Sequence, residues 1–125
     1  MKNTKGLRDL DYIQTNRANW DERVDIHLRD DTGFYRVEAF LNGEDVRPDI
    51  DRKEMHEFSG IDVLHLQCHF GLDTLSVARQ AKSVVGVDFS PKAITAACDL
   101  AKRVGLADRA EFVLSDLYAT PLQVN

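Results

Sequence analysis

The stretch VLHLQCHFG, residues 63–71, decides the fold. Val63 to Leu66 reads as a buried strand running into a turn, where an α/β protein places glycines so that backbone can approach a ligand. Gln67 and His69 stand where glycines are expected, and Gly71 alone remains of the turn glycines. Three readings meet here: a nucleotide-binding turn with unusual side chains, a metal cluster built on His65, Cys68 and His69, or a plain buried strand end.

On both sides of this turn the sequence alternates short β-branched runs with helical periods. IDVLHL (61–66), SVVGVDF (83–89) and AEFVL (110–114) are strand candidates, and their near-continuous apolarity suits strands covered on both faces. A helix between the first two begins near Asp73 or Thr74 as N-cap and buries Leu75, Ala78 and Leu72. The next helix has Ser90 as N-cap and Pro91 at the first helical position. Its apolar stripe is Ile94, Ala97, Cys98, Ala101 and Val104, which makes Cys98 a core residue, and Gly105 is its stop. Strand, helix, strand, helix, strand is the half-unit of a doubly wound parallel sheet, so the expected class is α/β, a partial Rossmann-like sheet of about three strands and two helices.

Residues 1–58 read as an N-terminal helical cap, and 59–125 as the cofactor-binding half of the sheet domain. Within the cap, Trp20, Val24, His27 and Leu28 follow the i, i+4, i+7, i+8 spacing of an apolar helical stripe, predicting a helix from Asn16 to Leu28. Asp30 to Gly33 break it, and Phe34, Tyr35, Val37, Phe40 and Leu41 form a short packing segment ending at Asn42-Gly43. Trp20, Arg23 and Tyr35 are candidates for closing over a ligand; the competing reading makes Trp20 the anchor of an amphipathic helix.

Length and charge bound the function. At 125 residues the chain is of single-domain size but small for a complete doubly wound enzyme. A net charge of −5, with acids interleaved among the basic residues, argues against a nucleic-acid groove and for a small-molecule partner. Two cysteines without framework spacing, and an N-terminus without an apolar signal region, point to the cytoplasm. No apolar run reaches membrane-spanning length.

Ligands of open α/β sheets sit beyond the carboxyl ends of the strands. That selects Gln67 to Gly71, Asp88 with Phe89, and Asp116 with Leu117. Asp88 ends its strand about 20 residues after the turn, where a carboxylate accepts both hydroxyls of a ribose; the alternative is a charge near the next helix's dipole.

These three stretches resemble the motifs of class I S-adenosylmethionine-dependent methyltransferases, in order and with that family's spacing over residues 61–118. VLHLQCHFGLDTLSVAR is similar to the first motif, VVGVDFSPKAI to the second and AEFVLSDLY to the third. The resemblance implies that Asp88 holds the cofactor ribose, that Phe89 flanks the adenine, and that Asp116 bonds the adenine amino group while the Leu117 backbone meets the ring. LQCHFG, with NRANWDERVDIHL upstream, resembles a subgroup of these enzymes. Most members carry an acid at position 65 and glycines at 67 and 69, so here Gln67 and His69 present an amide and an imidazole to the cofactor's methionine end, and close backbone approach is lost. The family's sheet has seven strands. The resemblance therefore implies a fragment that holds the cofactor half, whose first strand is left as an apolar edge open to homodimerisation or to another partner.

Competing functions remain. No metal is expected, because H-x-x-C-H, even joined by Cys98 or His56, is no recognised zinc spacing; a core histidine at 65 and a small buried hydrophobe at 68 are the simpler readings. A nicotinamide-dependent oxidoreductase shares the strand, turn and Asp88 but needs G-x-G-x-x-G, which Q-C-H-F-G does not supply. A non-catalytic remnant or interaction module is the alternative outside enzymes. No catalytic base is named by the sequence.

Overall fold

A computed structural model describes residues 4–33, 35–47, 53–54 and 57–116, with side chains from Tyr12 onward. The apolar runs become three parallel strands, β1 (Asp62–Leu66), β2 (Ser83–Asp88) and β3 (Ala110–Leu114), in the order β1-β2-β3. Val63 pairs with Val84 and Val84 with Ala110, while Leu64 pairs with Val85 and Val85 with Glu111. Because side chains alternate along each strand, the first row turns toward the helices and the second away from them.

Coverage on both faces, expected from the composition, holds only for the central β2, where Val84 and Val87 are buried. In β1, Leu64 and Leu66 are 46% and 42% exposed. Among the described residues no strand pairs with the outer edge of β1, and Leu64 and Leu66 on one of its faces stay partly open.

The crossover helices are α3 (Leu72–Ala78) and α4 (Pro91–Arg103), numbered after α1 (Thr4–Arg29) and α2 (Val37–Leu41). In α4 the predicted start is observed: the Ser90 hydroxyl accepts the Ala93 N–H at 3.1 Å, Pro91 opens the first turn, and Gly105 follows with φ +74°. Its buried stripe is Ala93, Ala97, Leu100 and Ala101. Ile94 and Cys98 are half-buried, which corrects the expectation of a core Cys98. The helix is rotated so that its alanines, the smallest side chains available, meet the sheet.

For α3 the cap is Gly71 in the left-handed region, not Asp73 or Thr74. Thr74 is fully buried and its hydroxyl meets His65 Nδ1 at 2.6 Å, so it binds the sheet rather than its own helix end.

Helix α1 begins twelve residues before the predicted Asn16. The preceding segment lacks an apolar stripe, but it contains no proline and several good helix formers, and propensity extends the helix outward from the packed part. Val24, 1% exposed, is its anchor on α4. Asp30 ends the helix, and its carboxylate accepts the N–H groups of Tyr35 at 2.9 Å and Val37 at 3.0 Å, which sets the start of α2. Phe40 of α2 is fully buried, with Arg79, the residue that caps the end of α3, stacked 4.4 Å from its ring and bonded to its carbonyl at 2.7 Å. Burying such a side chain contributes about 2 kcal/mol. Among the described residues no helix is long and apolar enough to cross a membrane.

Candidate functional site

The first motif keeps a glycine-like path without glycines. Gln67 and His69 have φ of 57° and 54°, followed by Gly71 at 87°. A left-handed conformation costs a residue with a Cβ about 1 kcal/mol. What holds the turn is hydrogen bonding: the N–H of Cys68 meets the Val87 carbonyl at 3.0 Å, that of His69 meets Asp88 Oδ2 at 2.8 Å, and that of Gly71 meets the Cys68 carbonyl at 3.0 Å. These three donors are consumed internally, so the turn offers its side chains to a ligand. A Cβ on Gly71 would meet Ala97 and the Phe112 ring at 3.0 Å; this glycine is required by packing behind the turn, away from the rim.

Asp88 joins the three strand ends. Its carboxylate, almost fully buried, accepts from His69 on one oxygen and from the Ser90 N–H at 3.0 Å on the other, while its carbonyl accepts the Ser115 N–H at 2.9 Å. Each carboxylate oxygen retains a further lone pair.

Two adjoining cavities lie over this rim, beneath α1. One, of about 320 Å³, is bounded by Trp20, Tyr35, Gln67, His69, Asp88 and Phe89. The other, of about 440 Å³, replaces Tyr35 and His69 with Ile13, Asn16, Ser115 and Asp116. Trp20, Gln67, Asp88 and Phe89 are common to both, so the two halves form one cleft. Larger hollows, about 500 Å³ between α1, α2 and α4 and about 570 Å³ beside β3, lie away from this convergence of strand ends.

The roof is fastened. Arg17 Nε donates to the Phe89 carbonyl at 3.0 Å, and the carboxylate of Asp21 accepts the hydroxyl of Ser90. At the Tyr35 end, His27 Nδ1 lies 3.1 Å from His69 Nε2 and 3.2 Å from the Tyr35 hydroxyl. Burial, then the neighbouring His27, push the His69 imidazole down to about 4 against the opposing pull of Asp88, so it is neutral at pH 7. Burial, with Asp30 adding to it, raises the Tyr35 phenol, which stays protonated.

Of the residues singled out from sequence, Gln67, His69, Asp88, Phe89, Asp116, Trp20 and Tyr35 line the cleft. Trp20 is 39% exposed, so the anchor reading gives way to a place in the roof. Arg23 sits 5.6 Å from the Trp20 ring and does not line the cleft, contrary to its expected place in the lid. Leu117 and His56 lie outside the described residues. His65 turns to Thr74 and Cys68 is buried beside Gly86, with its thiol pushed up to about 12 chiefly by burial. Among the described residues no group of three or more His, Cys, Asp or Glu is placed to hold a metal ion. Sequence reasoning missed Ile13, Asn16, Arg17 and Asp21, and treated His27 only as part of the stripe. Their signal was present: Ile13, Asn16 and Trp20 recur at i, i+3, i+7 on one helical face.

Residues 64–125 match the family model described as a methyltransferase domain. No curated protein matches the chain. Among solved structures, the chain is similar to the [4+2]-cyclase SpnF, with 28% identity and a TM-score of 0.53, over 59% of this chain and 28% of that one. It is also similar in fold to phosphoethanolamine N-methyltransferase 1 of Haemonchus contortus, solved with phosphoethanolamine and S-adenosylhomocysteine, at 18% identity, TM-score 0.63, and 88% and 22% coverage. A third is DhpI, solved in a complex named for SAM and HEP, at 22% identity, TM-score 0.60, and 89% and 46% coverage. The chain thus spans from about a fifth to under half the length of these structures. Residues 64–125 are thus similar in sequence to a methyltransferase domain, a family whose cofactor is S-adenosylmethionine, and the described part of that stretch, 64–116, shares the parallel-sheet fold of these structures.

Proposed function

We propose that this chain forms the cofactor half of a class I S-adenosylmethionine-dependent methyltransferase of the LQCHFG kind, acting on a small-molecule acceptor. The observation that carries the reading is the position of Asp88: its carboxylate stands in the wall common to both cavities, between Gln67 and His69 on one side and Asp116 on the other. The donor set suits the group. Asp88 keeps lone pairs for two ribose hydroxyls, Phe89 offers a ring to the adenine, Asp116 offers an acceptor to its amino group, and Gln67 offers an amide to the methionine end. The bound cofactor supplies an electrophilic methyl group on a positively charged sulfur. The protein's part is to orient that centre and exclude water under α1.

A second reading, a chain of this fold without methyl transfer, draws on the similarity to a [4+2]-cyclase. The outer edge of β1, which no described strand pairs, supports with exposed Leu64 and Leu66 a pairing with a second copy or another partner; sedimentation as a monomer at micromolar concentration contradicts pairing with a second copy. Cys68 and Cys98, which form no disulfide with each other, support a cytoplasmic setting.

Isothermal titration of the chain with S-adenosylmethionine, S-adenosylhomocysteine and NAD tests the function. Binding of the first two without NAD is expected. Binding of NAD alone, or of none by a folded chain, overturns it.

A further inference from the structure

Helix α1 lies over the strand ends with little apolar surface to keep it there. Among its described side chains only Val24 is fully buried; Leu28 packs at the margin of the core, and Tyr12, Trp20 and Ile26 are exposed. The helix joins α2 through a stretch in which Asp30, Gly33 and Arg36 take left-handed φ of 53°, 72° and 54°, so the helical path is broken repeatedly. A junction of this kind absorbs rotation of one element against another.

The position of α1 therefore depends on polar ties. Toward residues 89–92, Arg17 Nε donates to the Phe89 carbonyl at 3.0 Å, Asp21 accepts from the Ser90 hydroxyl, and Asp25 faces Lys92 Nζ at 3.4 Å. In each of these a donor or cation meets an acceptor or anion. Toward the turn after β1 the tie is of another kind, two imidazoles in direct contact. His27 Nδ1 and His69 Nε2 are 3.1 Å apart, with ring centroids at 5.3 Å and planes at 76°, so the bond is close to head-on. It needs a proton on one nitrogen and a lone pair on the other. A neutral pair, or a pair with one imidazolium, meets that condition. Two imidazolium rings do not: N–H then faces N–H, and two like charges stand 3.1 Å apart.

The surroundings do not relieve that contact. Facing His69 are Trp20 of α1, with Arg23 stacked on it, Tyr35 of the junction, with Asp30 acting on its phenol, the neighbouring Phe70, and Asp88 of β2. Asp88 is the anion that favours a charged His69; burial, then His27, outweigh it and hold the ring neutral down to about 4. Tyr35 lies 3.2 Å from His27 Nδ1, and its phenol oxygen accepts from that nitrogen once it carries a proton. This gives a protonated His27 a partner on its own side of the cleft and leaves His69 without one.

We propose that the His27–His69 bond is a proton-operated latch: it keeps α1 closed over the strand ends while the pair holds no more than one imidazolium, and it frees the helix to turn about the 30–36 junction when both rings are protonated, so that access to the cleft increases in mildly acidic solution. The latch stands apart from the cofactor reading, because it needs no ligand. Its sign follows from linkage. Opening returns His69 to water and to its ordinary 6.5, so the open form takes up the proton that the closed form resists. The latch is fully effective above pH 6.5 and weakens as pH falls from there toward 4; between pH 7 and pH 5 the ratio of open to closed chain rises on the order of tenfold.

The test is amide hydrogen exchange of the full chain without ligand at pH 7, 6 and 5, each rate corrected for the chemical exchange rate at that pH. Protection of the α1 amides, taken relative to those of β1 to β3, is expected to fall about tenfold from pH 7 to pH 5. His27→Asn, whose amide both donates and accepts and takes up no proton, is expected to remove the pH response. His27→Phe, which cannot bond to His69, is expected to give low α1 protection at pH 7 with no further fall in acid; the sheet amides report in the same experiment that each variant is folded. Relative protection that does not change with pH, a loss shared equally by the sheet, a full pH response in His27→Asn, or wild-type α1 protection in His27→Phe at pH 7 each overturns the latch.

Discussion

The backbone N–H of His69 and the carboxylate of Asp88 meet at 2.8 Å, tying the turn after β1 to the end of β2. Through this bond a residue placed by resemblance at a ribose also serves as the keystone of the turn. Binding and folding therefore share one side chain, and variants of it must be read for both.

Replacement of Asp88 by alanine strips two buried donors, the His69 and Ser90 N–H groups, of their acceptor. Each unsatisfied group costs about 1–3 kcal/mol. Chemical denaturation is expected to show a loss of about 2–5 kcal/mol for Asp88→Ala and a smaller loss for Asp88→Asn, which keeps one oxygen acceptor. Equal stability of wild type and Asp88→Ala contradicts the keystone role.

Gln67 and His69 separate strain from packing. Gln67→Gly relieves a left-handed residue and is expected to stabilise by up to about 1 kcal/mol, less the backbone entropy of the new glycine. His69→Gly relieves the same strain but loses the ring contacts with Trp20, His27, Tyr35 and Phe70, and is expected to destabilise. Urea midpoints measured side by side check the opposite signs.

Gly86 is closed to any larger side chain. A Cβ there would meet the Phe112 ring at 2.9 Å and Cys68 Sγ at 3.1 Å. Gly86→Ala is expected to cost about 1–3 kcal/mol through displacement of Phe112. Combining it with Phe112→Leu, which removes the obstructing ring, should recover part of the loss, and thermal melts of the two variants measure it.

The imidazole of His69 gives the chain an acid limb. With its folded value lowered to about 4 against an ordinary 6.5, the folded state resists the proton that the unfolded state takes up. Its stabilising contribution is complete above pH 6.5, falls as pH drops from 6.5 toward 4, and changes no further below that. NMR titration of the imidazole carbons is expected to place His69 well below a solvent-exposed histidine, and His69→Gln should flatten the stability curve across that window.

Much of this was legible in the sequence. The β-branched runs gave three strands to within a residue at their ends, because strand periodicity and turn punctuation agree there. Ser90, Pro91 and Gly105 bracketed α4 because capping is local chemistry. Asp88, Phe89 and Asp116 were found by their positions after strands. What escaped the reading depended on tertiary packing. The half-exposed face of β1 looks like a buried strand in composition, and the rotation of α4 is set by how closely its alanines approach the sheet. The roof was only half seen: Trp20 stood out, whereas Asn16 and His27 acquire meaning only when α1 is laid across the rim. The left-handed path of Gln67 and His69 escaped the reading because the absence of glycine was taken as loss of that path, whereas hydrogen bonds to Val87 and Asp88 hold it with side chains in place.

The most direct measurement is calorimetric titration of S-adenosylmethionine into the wild-type chain and into Asp88→Asn, which retains a side chain of the same shape. A single site in the wild type, weakened at least about tenfold in the variant while both remain folded by circular dichroism, is the predicted result, since a charged hydrogen-bond acceptor is lost. Equal affinity in the two proteins contradicts a cofactor cleft centred on Asp88.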